Sequence, residues 1–76
     1  MTLDRLSVGS EAIITSLKDS ELRLRLLDMG LTPRTSVKII KTAPLGDPVQ
    51  IRLRGYELTL QKHDLKSVEV AIIKRG

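Results

Sequence analysis

The chain has 76 residues, 41% of them apolar, a formal net charge of +4, no Cys and a single aromatic residue, Tyr56. Such a length holds one small domain, and the lack of Cys excludes disulfides, thiol nucleophiles, Cys-ligated zinc and iron–sulfur clusters. The longest apolar run, Val70 to Ile73, is far short of the ~20 residues of a membrane-crossing helix, and the mild basic excess admits nucleic acid, acidic proteins or anionic headgroups without selecting among them.

In chain order, Leu3, Leu6 and Val8 lead into Gly9-Ser10, an entry segment and a turn. Met1 to Ser10 carries Asp4 and no apolar run, so no signal peptide is expected, and the absence of Cys fits the cytoplasm. Ala12 to Leu17 reads as a first strand, broken by Lys18-Asp19-Ser20. Asp19 or Ser20 can cap a helix over residues 21–29. Leu22, Leu26 and Met29 form its apolar stripe, and Gly30 supplies the left-handed residue that stops it. Leu31 can then fold back onto the last turn, before Thr32-Pro33. Ser36 to Thr42 is a second strand, and Ala43-Pro44-Leu45-Gly46-Asp47-Pro48 a stiff turn-rich loop.

The clearest element runs from Val49 to Leu60. A two-residue turn at Arg54-Gly55 pairs Leu53 with Tyr56, Ile51 with Leu58 and Val49 with Leu60 on one face. The same register sets Arg52 against Glu57 on the other face, and a slip of one residue would lose both agreements. Lys62-His63-Asp64 reads as a further turn and Val68 to Ile72 as a last strand, with Lys74-Arg75-Gly76 expected to fray. The fold class is mostly β: one domain over residues 1–76, a small, partly open SH3-like barrel of five strands with one short helix after the first.

No chemistry-bearing constellation is present. His63 is the only His and lies in a predicted turn, so no metal site and no bound cofactor are expected. The carboxylates show no metal-site or glycosidase spacing, and Gly46 and Gly55 open no phosphate-cradling loop. The chain therefore reads as a non-enzyme. Arg52, Arg54, Lys62 and Lys66 suggest a basic strip, which makes a nucleic-acid-binding barrel the alternative reading. A single aromatic is too few for base stacking, so no nucleic-acid partner is expected. Protein–protein contact remains. Leu45 stands at the tip of the stiff loop, where it either docks in a partner's pocket or folds back over the barrel end, and Leu24 and Leu27 lie off the helix's core stripe, either as partner surface or as part of a wide core-facing stripe.

These segments together resemble the FeoA family, small proteins of the bacterial ferrous iron transport system. The matching residues are Leu3-x-x-Leu6-x-x-Gly9, Arg25-Leu26-Leu27-Asp28-Met29-Gly30-Leu31-Thr32-Pro33, Ala43-Pro44-Leu45-Gly46-Asp47-Pro48-Val49-Gln50-Ile51 and Arg54-Gly55-Tyr56-Glu57-Leu58. The resemblance covers nearly the whole chain, in order, and the loop joined to Arg54-Gly55-Tyr56 is its most specific part. It departs at Gln61, where Arg is common, and at Leu65, where a small residue is common. The resemblance implies an SH3-like barrel and an accessory or regulatory role in ferrous iron uptake. The implied partner is the FeoB permease, through its cytoplasmic GTP-binding domain or adjoining membrane part, with room for a third Feo component. It also implies a cytoplasmic location, with the membrane reached through the partner alone. Met1 opens directly into the barrel, so the free-standing form is expected rather than the module carried by iron-dependent repressors. The residues expected at the partner contact are Leu24, Leu27, Leu31, Pro44, Leu45, Gly46, Asp47 and Arg54. Arg25, Arg52 and Arg54 are candidates for an arginine supplied to the partner's GTPase site.

Overall fold

The computed structural model describes residues 1–76. A 3₁₀ turn at Leu3–Arg5 precedes β1 (Glu11–Leu17), α1 (Arg23–Asp28), β2 (Ser36–Thr42), β3 (Val49–Leu53), β4 (Tyr56–Leu60), α2 (Lys62–Leu65) and β5 (Val68–Lys74). The strands form one antiparallel sheet in the order β4-β3-β2-β1-β5. It curls around a single apolar core as an SH3-like barrel, with β4 and β5 left as its edges. Ile14, Leu26, Leu31, Ile39, Ile51 and Leu65 lie at the centre of that core.

Alternation places most of these side chains. Val37 and Ile39 point inward from β2, as do Val49, Ile51 and Leu53 from β3. In β1 the buried residues are Ala12, Ile14 and Leu17, a spacing of two and then three. A register shift between Ile14 and Ser16 against β5 explains the extra step, because a bulge adds one residue and reverses the side-chain phase.

The hairpin adopts the expected register. Val49 faces Leu60, Ile51 faces Leu58, Arg52 faces Glu57 and Leu53 faces Tyr56. Arg54 at φ 49° and Gly55 at φ 82° carry the two positive φ values of a type I′ turn. Tyr56 is not inward as the alternation suggests. It is 41% exposed, and its hydroxyl donates to the Met29 carbonyl beyond α1. Burying the phenol would have left that polar group without a partner.

Three further expectations are corrected. Helix α1 is shorter than residues 21–29, and neither Asp19 nor Ser20 caps it through a side chain. Leu22 occupies the cap position, and the Ser20 carbonyl accepts from Arg23 N–H at 3.1 Å. The turn at Lys62-His63-Asp64 is a helical turn, α2, which buries Asp64 and Leu65. The last residues do not fray. Lys74 pairs with Glu11 inside β5, Gly76 N–H donates to Ser10 Oγ at 3.0 Å, and Ser7 Oγ donates to the Gly76 carbonyl at 3.3 Å.

On the outer face the registers align one charged residue from every strand. Lys74, Glu11, Lys38, Arg52 and Glu57 follow one another from β5 through β1, β2 and β3 to β4. Arg52 Nε donates to Glu57 Oε2 at 3.0 Å. That hydrogen bond, with Gln50 Nε2 donating to the other oxygen, holds the Glu57 carboxyl below its ordinary pKa of 4.5.

Candidate docking surface

The loop between β2 and β3 is tied at both ends. Ala43 N–H donates to the Pro48 carbonyl at 3.0 Å, and Gly46 N–H to the Ala43 carbonyl at 2.7 Å. The Asp47–Pro48 peptide bond is cis. Asp47 Oδ1 accepts from Lys62 N–H at 2.8 Å, so the loop carboxylate satisfies an orphan donor at the start of α2. Pro44 is exposed and Gly46 half-buried. With its base pinned, the loop holds Leu45 at 97% exposure. A leucine so displayed touches almost nothing of its own domain.

Helix α1 carries the second apolar feature. Leu24 is 74% exposed, whereas Leu27 is half-buried and packs against the core. Leu31, expected at the contact, is fully buried. Its N–H donates to the Leu26 carbonyl at 3.0 Å, which draws the side chain under the helix as part of the core. Arg25 leaves α1 towards α2, where its Nη2 lies 3.4 Å from Asp64 Oδ2. The loop, α2 and α1 are thus joined in series, through Asp47 and then through Asp64.

The three arginines expected as finger candidates are engaged. Arg54 Nη2 donates to Thr32 and Thr35 hydroxyls at 2.9 Å each, Arg52 is paired with Glu57 and Arg25 with Asp64. None extends as a free finger. The basic strip is also divided: Arg52 and Arg54 sit at the β3 end of the hairpin, while Lys62 and Lys66 belong to α2 and its C-cap. His63 is exposed, and no three His, Cys, Asp or Glu residues converge as a metal site would require. No helix is long and apolar enough to cross a membrane. Sequence patterning missed the roles of Asp47 and Asp64, since each acts on a residue at least 15 positions away. The one local signal was the Asp at the end of a Pro/Gly loop.

Comparison with known proteins gives a consistent result. The family model described as the FeoA domain matches residues 1–72. The chain is 32% identical over 74 residues to a Fe(2+) transport protein A/Fe(2+) transporter FeoB fusion protein of Porphyromonas gingivalis, covering 96% of this chain and 9% of that one. It thus spans about a tenth of the length of this curated relative. The solution structure of a FeoA-like protein from Clostridium acetobutylicum superposes with a TM-score of 0.94 at 31% identity, covering 100% of this chain and 90% of the other. A crystal structure from Stenotrophomonas maltophilia, described as FeoA complexed with zinc and as a prokaryotic SH3 domain protein, has a TM-score of 0.82 at 22% identity over 93% of this chain and 89% of that one. It shares the fold.

Proposed function

The chain belongs to the FeoA family, and from that premise we propose that it is a non-enzymatic accessory protein of ferrous iron uptake that docks on the cytoplasmic part of the FeoB permease. The observation that carries this reading is the Porphyromonas gingivalis relative, in which a matching segment and FeoB share one polypeptide. Covalent linkage holds two domains at high effective concentration, which is useful where they work in contact. The docking surface in this reading comprises the Ala43–Pro48 loop, led by Leu45, and α1, led by Leu24. Both leucines are exposed aliphatic groups on pinned backbone, so burying them against a partner costs little ordering entropy. Pro44, Gly46 and Asp47 shape the loop, while Leu27 and Leu31 support α1 from the core side.

The test is an NMR titration of the labelled chain with the cytoplasmic domain of its own FeoB, with and without a GTP analogue. Shifts concentrated on the loop and α1 are expected. A dependence on nucleotide would mark a regulator, and nucleotide-independent docking a scaffold. Shifts confined to the outer sheet face, or none in any nucleotide state, would overturn the proposed surface.

A further inference from the structure

The 3₁₀ turn and α2 together form a face that the docking surface above does not use. Lys62 and Lys66 stand four residues apart on and just past α2, hence on one side of it, because Asp64 and Leu65 take the buried side. One shallow cleft is lined by Arg5, Leu6, Lys62 and Lys66 among others. A second, sharing Arg5 and Leu6, adds Ile72 and Arg75. Four exposed cations therefore line two clefts that meet at Arg5 and Leu6; Leu6 is half-buried and packs against the core, while Val8, 48% exposed, lines the adjoining cleft with Leu6 and Lys62. None of the four takes part in an ion pair; those of the chain are Met1–Glu69, Arg25–Asp64 and Arg52–Glu57. The carboxylates near these clefts are Asp4, which lines one of them and accepts from the Thr2 hydroxyl, Asp47, engaged by Lys62 N–H, and Glu69, paired with the Met1 ammonium that lines both.

We infer that this face seats the domain on an anionic bilayer surface, Arg5, Lys62, Lys66 and Arg75 meeting lipid phosphates while Val8, backed by the core-packed Leu6, reaches towards the acyl boundary. An aliphatic centre with a cationic rim is the pattern of interfacial membrane contact. Single-stranded nucleic acid would instead be met by stacking aromatics, and the one aromatic, Tyr56, is engaged at Met29. The face also adjoins the loop: Leu6, Val8, Gly46 and Lys62 line a common cleft. A domain held by Leu45 on the cytoplasmic side of a permease would bring this face to neighbouring headgroups. The inference rests on the permease reading for its setting, but its measurement does not involve FeoB.

The experiment is co-sedimentation of the full chain with phosphatidylcholine vesicles and with phosphatidylcholine–phosphatidylglycerol vesicles, at low and high salt. Binding to the anionic vesicles alone, weakened by salt, is expected. Each cation lost should cost about fivefold in partition coefficient, so Lys62→Glu with Lys66→Glu should reduce it at least 25-fold by the same reckoning, and Val8→Asp should reduce it further. Lys38→Glu, on the outer sheet face, makes the same change in charge per site and should cost much less. Equal binding to neutral vesicles, no binding, or equal losses from Lys38→Glu would overturn the assignment. So would tighter binding to an oligonucleotide than to the anionic vesicles. Loss of FeoB docking with vesicle binding retained would count against the permease reading and leave this one standing.

Discussion

The Asp47 carboxylate and the Lys62 backbone N–H, 15 residues apart, meet at 2.8 Å. One hydrogen bond therefore fixes the base of the Leu45 loop and the first turn of α2. Gln61, at the cap position of α2, makes no side-chain bond to it, so the cap comes from a distant loop. Asp47→Ala should cost about 1 kcal/mol of stability, the usual worth of an N-cap, and should loosen the loop. Urea denaturation reads the first effect, and amide exchange at Gly46 and Lys62 the second.

Leu45→Asp and Leu24→Asp test the docking surface directly. Both side chains are largely solvated, so each variant should unfold within about 0.5 kcal/mol of the parent. Affinity for the FeoB cytoplasmic domain should fall by roughly tenfold or more for either, in proportion to the apolar area lost. Leu26→Ala is the contrasting case. It empties a fully buried site and should cost about 2–5 kcal/mol, with affinity falling only through loss of folded protein.

Gly30 and Tyr56 should behave as a coupled pair. Gly30 has φ 98°, and a Cβ there would collide with the Tyr56 hydroxyl. Gly30→Ala should destabilise by more than about 1 kcal/mol, because the backbone is strained and the Tyr56–Met29 hydrogen bond is displaced. In a Tyr56→Phe background the loss should be smaller, since the obstructing oxygen is gone. Equal losses in both backgrounds, measured by denaturant midpoints, would show that the hydroxyl plays no part.

The Arg52–Glu57 pair gives a signed pH effect. The folded Glu57 pKa is depressed, chiefly by the Arg52 hydrogen bond. Its contribution to stability is therefore present above a glutamate's ordinary 4.5 and is lost as pH falls through the lower folded value. Arg52→Gln should raise the Glu57 pKa towards 4.5 and flatten that part of the stability profile. An NMR titration of the Glu57 carboxyl measures the shift.

The hairpin was legible to the residue because two independent patterns agreed: apolar alternation on one face, and Arg52 against Glu57 on the other. Strand β2 likewise emerged as residues 36–42, bounded by turn-forming residues on both sides. What stayed illegible depends on contacts across the fold. The helical turn α2 takes its cap from Asp47, 15 residues away, and buries Asp64 and Leu65, a pairing that local pattern does not show. Tyr56 looked inward by parity, yet its hydroxyl needs the Met29 carbonyl. Leu31 closes the helix segment expected at the contact, yet folding back after the Gly30 stop buries it under the helix. The exposure of Leu45 was visible as a possibility in the Pro/Gly loop, and the ties at Ala43 and Asp47 decide it.

The row of charges from Lys74 to Glu57 has a consequence for how the domain can be approached. A partner pressing flat against that side would have to strip water from five ionised groups, two of which, Lys38 and Arg52, are neighbours of like sign. Such desolvation is seldom recovered in a dry interface. The outer sheet therefore acts as a hydrated back. On the docking proposed above, approach then falls to the loop, α1 and the 3₁₀ turn.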